Sequence, residues 1–138
     1  MSNIIHAVPI DIGSVDLLWM VGYSVTEVIL REPTLWVFTL SGGGSICTES
    51  SWRVLADDKF AVSDSDEYPS PATLSALSGA LVTGAEIRKG AADLVVSFSG
   101  ERQLEIVSIN RGYEAWQIYG PAGTSYAAQG GQISTWKQ

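Results

Sequence analysis

The side chains that could do chemistry are few. His6 is the only histidine and Cys47 the only cysteine, so any Ser-His or Cys-His pair must use His6. It lies near the N-terminus, with no nucleophile in a marked turn beside it. Zinc takes three or four ligands, more than one His and one Cys supply. Asp64-Ser65-Asp66-Glu67 alternates oxygen ligands as a calcium loop does, but Tyr68 and Pro69 follow where that loop needs a glycine and a closing glutamate. Glu27, Glu49, Glu105 and Glu114 could provide a carboxylate pair for acid-base work. All four fall on predicted strands, where alternation turns charges toward solvent, and nothing selects a pair. The expectation is a non-enzymatic protein with no metal and no cofactor.

Charge is the remaining chemical feature. Fifteen acidic residues against eight basic ones give a net charge of -7, which repels a phosphate backbone and argues against nucleic-acid binding. The acidity is concentrated. Asp57, Asp58, Asp64, Asp66 and Glu67 gather with Tyr68, Pro69 and Pro71 between positions 57 and 71, a composition expected of one acidic surface loop. Such carboxylates steer a basic partner and imitate the phosphates of its substrate, while Tyr68 offers contact area that can be desolvated.

The elements that must position this loop read as β. Residues 14–54 and 71–118 can be laid over each other. At an offset of 57 positions Leu17 falls on Leu74, Met20 on Leu77, Gly22 on Gly79, Val25 on Val82, Thr26 on Thr83 and Arg31 on Arg88. After one inserted residue, Leu40-Ser41-Gly42 faces Phe98-Ser99-Gly100. Both halves then close on Trp52-Arg53-Val54 and Trp116-Gln117-Ile118. Each half opens with an expected helical turn. The second has Ser70 as N-cap, Pro71 at the first helical position and Gly79 at the end; the first covers Ser14 to Gly22 by analogy. Alternating β-branched and aromatic stretches then predict strands at Val25–Arg31, Leu35–Leu40, Ser45–Glu49, Leu81–Arg88, Asp93–Phe98 and Gln103–Ile109. The tail adds Ala115–Tyr119, Thr124–Ala127 and Gln132–Trp136.

A single mainly β domain follows: two pseudo-repeated units, each a short helix with three or four antiparallel strands, packed as a sandwich or partly open barrel, plus a C-terminal hairpin extension over 119–138. The equivalent Trp52 and Trp116 are expected in the core, and Trp36 and Trp136, which lack twins, at partly exposed positions. Strand edges must be covered by the acidic linker or the C-terminal hairpin, or paired in a homodimer. The turn Ser41-Gly42-Gly43-Gly44 is no phosphate cradle, because a strand follows it rather than a helix N-terminus.

The run Gly112-Tyr113-Glu114-Ala115-Trp116-Gln117-Ile118-Tyr119-Gly120-Pro121-Ala122-Gly123, followed by Gly130-Gly131-Gln132-Ile133-Ser134-Thr135-Trp136, resembles the C-terminal signature of a family of small, uncharacterised bacterial proteins common in actinobacteria. The chain departs from that signature at Gln129, where a proline is expected. The resemblance implies a cytoplasmic, mostly β protein, similar in size and acidity to immunity proteins that neutralise polymorphic toxins. It carries over no catalytic residue.

Two functional expectations result. The first is an acidic protein-binding module, in its concrete form an immunity protein that occludes a toxin with a basic active face. The second is a small-ligand-binding β domain with a tryptophan-lined cavity between the two units. With no apolar run near the ~20 residues that span a bilayer and no signal-peptide pattern at the N-terminus, neither membrane contact nor secretion is expected. One unpaired cysteine fits a reducing cytoplasm.

Overall fold

Short alternating stretches broken by glycine-bearing turns give strands rather than helices, and the computed structural model, which describes residues 7–109 and 112–137, has that character throughout. The first strand, β1 (Val8–Ile10), precedes two 3-10 turns at Ile12–Ser14 and Leu18–Met20. A meander follows: β2 (Val25–Arg31), β3 (Leu35–Leu40) and β4 (Ser45–Thr48). Next comes a hairpin, β5 (Trp52–Ala56) and β6 (Lys59–Ser63), and then the helix α1 (Pro69–Ala76). A second meander, β7 (Val82–Ile87), β8 (Leu94–Phe98) and β9 (Arg102–Ile106), leads to β10 (Trp116–Tyr119), β11 (Thr124–Gln129) and β12 (Gln132–Lys137).

The strands form two antiparallel sheets that exchange hairpins. The larger runs β1-β12-β11-β10-β4-β3-β2 and the smaller β6-β5-β9-β8-β7. The first meander therefore continues into β10, with Ile46 opposite Ile118 and Thr48 opposite Trp116. The second continues back into β5, with Leu104 opposite Val54 and Ile106 opposite Trp52. Both meanders carry a register shift in their first strand, between Val25 and Glu27 and between Val82 and Gly84. A shift of this kind bends a strand and increases its local twist.

One core lies between the sheets. Phe38 of the larger sheet meets Trp52 of the smaller edge-on, ring centroids 5.0 Å apart, an arrangement aromatic quadrupoles favour. Trp52 and Trp116 are both closed off from solvent, and Trp116 donates its indole N–H to the Ala92 carbonyl at 2.8 Å. Trp36 and Trp136 are half-buried.

The helices depart from the sequence pattern. α1 begins at Pro69 rather than after Ser70, with Tyr68 in the capping position and no side-chain cap. Pro69 suits the first helical position, because its missing N–H is unsatisfied there in any case. α1 rests against β2 and β6, the edge strands of the two sheets, and closes that side of the sandwich. The twin helix expected over Ser14 to Gly22 is not formed; the 3-10 turns stand in its place. There Asp16 accepts the Leu18 N–H at 3.0 Å, a local bond that competes with helix, while Leu17 and Met20 point into the core and Leu18 stays exposed. Only one unit is thus accompanied by an α-helix. Glu49 and Glu114 lie just outside β4 and β10, not on strands, and His6 falls outside the described residues.

Candidate functional site

β5 and β6 turn back through Asp57 and Asp58, whose φ values are 53° and 61°. A two-residue hairpin turn that follows the strand twist needs positive φ at both positions, and Asp tolerates it better than most residues. The Asp57 N–H donates to the Glu101 carbonyl at 2.9 Å, which ties this turn to the β8–β9 turn, where Glu101 itself has φ 57°. Three exposed acidic residues, Asp57, Asp58 and Glu101, therefore share one end of the smaller sheet.

Asp64, Asp66, Glu67 and Tyr68 are placed at the other end of β6, roughly 16 Å away at the usual strand rise. The expected single acidic loop is thus two clusters joined by a strand. Lys59–Ser63 forms that strand because Val62 alternates into the core and is fully buried there, opposite Val54. Asp64 accepts the Trp52 N–H at 3.4 Å across to β5, and Asp66 the Ser63 N–H at 3.1 Å on its own turn, so each has one oxygen engaged. Glu67 and Tyr68 are exposed, Tyr68 at 69%.

The register of the smaller sheet shows what its outward face carries. One row reads Phe60, Leu55, Gln103, Ser97 and the next Ser63, Arg53, Glu105, Val95, Glu86. Phe60 is 59% exposed. Glu105 points outward yet is only 6% exposed, because two arginines close over it. Arg53 Nε lies 2.7 Å and Arg88 Nη2 3.0 Å from its two carboxylate oxygens. A covered carboxylate requires such partners, and both arginines keep about half of their side chains in water.

The model of a family of unknown function, DUF6188, matches residues 16–137. The chain belongs to that family. No curated protein and no solved structure matches it. The DUF6188 region takes in the acidic hairpin, the Arg53–Glu105–Arg88 group and every element from the second 3-10 turn to β12.

Within this DUF6188 chain the other sequence candidates separate. Glu27 and Glu49 are exposed, whereas Glu114 is half-buried and accepts Gln117 Nε2 at 2.9 Å. Glu105 is not the solvent-facing charge that alternation predicts. Among the described residues no three His, Cys, Asp or Glu side chains are grouped to hold a metal, and no helix is long and apolar enough to cross a membrane. Cys47 is buried on the outward side of β4, and burial pushes its thiol pKa up, offset in part by the Ser45 hydroxyl and by Arg31. Trp52 and Trp116 are both enclosed in the core between the sheets. Glu101, Phe60, Arg53 and Arg88 have no local sequence signal, since strand pairing between distant segments brings them to this face.

Proposed function

We propose that the chain is a non-enzymatic protein-binding module that docks a partner with a basic face on the acidic end and outward face of the smaller sheet. Its concrete form is an immunity protein acting in the cytoplasm, covering the basic active face of a toxin. The supporting observation is the disposition around β6. Phe60 and Tyr68 are exposed, with carboxylates at both ends of the strand: Asp57, Asp58 and Glu101 at one, Asp66 and Glu67 at the other. Exposed aromatics flanked by charge match the anatomy of an interface, in which rings supply desolvated area and charges set encounter rate and register.

The test is affinity capture from source-cell lysate with wild type and the variant D57N/D58N/D64N/D66N/E67Q side by side, followed by association kinetics on whatever is captured. Asn at position 64 keeps an oxygen for the Trp52 N–H, so the variant retains its turn. The reading requires a basic protein retained by wild type, with association slowed about tenfold or more in the variant and a weaker salt dependence. Kinetics indifferent to all five substitutions would overturn it.

A further inference from the structure

Away from the acidic hairpin, the second 3-10 turn and the β10–β11 turn enclose a pocket of about 270 Å³. We infer that this pocket binds a small organic cation, an ammonium or guanidinium group on a short apolar stem. Its lining includes Asp16, Trp19, Pro121, Ala122, Thr124 and Tyr126.

Trp19 is a fixed wall. Its ring lies over two glycines: a Cβ on Gly44 would come within 3.2 Å of it and one on Gly120 within 3.6 Å. Tyr23 packs against it with centroids 6.2 Å apart. Asp16 is anchored at its backbone as well as its side chain. Its N–H donates to the Tyr126 hydroxyl at 3.3 Å, and one carboxylate oxygen accepts the Leu18 N–H at 3.0 Å. That leaves the second carboxylate oxygen as acceptor and counter-charge for a guest.

The ligand class follows from charge and polarity. Asp16 is the one charged side chain in the lining among the described residues, so an anion is repelled. A neutral sugar finds the Thr124 and Tyr126 hydroxyls but leaves the Asp16 carboxylate without a counter-charge. A cation gains both the carboxylate and the electron-rich face of an indole, and its stem covers the apolar floor. The volume falls at the small end of ligand sites, roughly 300–1,000 Å³, which suits a head group rather than a nucleotide. The same chemistry is presented by a free amine or by a Lys or Arg side chain of a docked peptide.

The experiment follows the five tryptophan indole N–H signals of the folded protein by NMR during titration with tetramethylammonium, N-acetyl-arginine amide, methyl glucoside and sulfate as separate probes. The Trp19 signal is assigned from its loss in W19F. Saturable movement of the Trp19 signal is expected with the two cations, with apparent affinity about tenfold weaker in D16N. Tighter binding of tetramethylammonium points to a free amine as the source, and tighter binding of the arginine amide to a peptide. Asn at position 16 retains an acceptor for the Leu18 N–H, and unmoved signals from the other four tryptophans show that the fold is intact. No movement of the Trp19 signal, equal affinity in D16N, or saturation by methyl glucoside or sulfate would overturn the inference.

Discussion

Truncating the two arginines over Glu105 should cost no more than the sum of the single losses. With Arg53→Ala alone, Arg88 still holds the carboxylate at 3.0 Å; with Arg88→Ala alone, Arg53 holds it at 2.7 Å. Each single loss removes one charge-assisted bond whose donor is half in water, so each is expected to cost about 1–1.5 kcal/mol after allowing for screening. The 6% exposure of Glu105 is set by the arginines that close over it, so removing both opens the carboxylate to water, which takes over their hydrogen bonds. The cost of about 3–5 kcal/mol for a charge stranded out of reach of water is then avoided. The double variant should therefore lose about 2–3 kcal/mol, within ~0.5 kcal/mol of the sum of the singles. Adding Glu105→Gln to it should change stability by less than about 0.5 kcal/mol, as at an exposed position. Urea unfolding followed by tryptophan emission measures all five proteins. A double variant more than about 1 kcal/mol below that sum, with recovery on Glu105→Gln, would refute the claim that the arginines, rather than the sheet itself, shield this carboxylate from water.

Gly44→Ala should destabilise by at least about 2 kcal/mol, because φ is +84° and the new Cβ would lie 2.5 Å from the Tyr119 carbonyl oxygen, a backbone atom that cannot swing away; thermal unfolding checks it. Asp58→Gly should leave stability unchanged or raise it by up to ~1 kcal/mol, whereas Asp58→Val should lower it by about 1–2 kcal/mol, since φ of 61° suits glycine and strains a β-branched residue. Burial raises the folded pKa of Cys47 above its ordinary 9.0 and that of Tyr119 above its ordinary 10.0. The fold therefore favours both protonated forms: their contribution is complete below those ordinary values and fades as pH climbs through them toward the raised ones. Native Cys47 should react with thiol reagents far more slowly than the urea-unfolded chain at pH 8, and Cys47→Ala should blunt the alkaline loss of stability. Fragments 7–66 and 67–137 should each show little strand signal by circular dichroism and regain it on mixing, because the β5–β6 hairpin joins a sheet only through β9 of the second fragment, and β10–β12 only through β4 and β1 of the first.

Much of the strand content is legible in the chain. Val25–Arg31 and Leu35–Leu40 fall on β2 and β3 residue for residue, and most other strand ends shift by one or two positions. Alternation and glycine turns are local properties, so they survive reading one segment at a time. β1, β5 and β6 are missed; in β6 only Val62 is buried, and the acidic residues on both sides make the stretch read as a loop. The helix over Ser14–Gly22 is wrongly expected because Leu17 and Met20 have helical spacing, while the bond that prevents the helix, from Leu18 to Asp16, involves a side chain that the spacing ignores. Glu105 reads as solvent-facing because its parity in β9 is right; what parity omits is that Arg53 of β5 and Arg88, just past the end of β7, both close over it.

The exchange of hairpins explains why the candidate sites are hard to read from the sequence. Each is assembled from segments far apart in the chain: Asp57 with Glu101, Arg53 with Glu105 and Arg88, Asp16 and Trp19 with Pro121 and Tyr126. Had β5 paired with β4 in a simple meander, Arg53 would lie in the larger sheet and Glu105 would face water without it. Register then becomes a condition of charge balance. Because successive side chains alternate faces, a slip of β5 by one residue against β9 would turn Arg53 inward, away from Glu105, and expose Val54 on the outward face. The apolar cost of that slip and the loss of the ion pair act in the same direction. The pairing that completes the core thus also sets the outward row of Arg53 and Glu105 and brings the Asp57-Asp58 turn beside Glu101. Binding surface and core are specified by one set of strand contacts, and a substitution that loosens β5 against β9 should disturb both together.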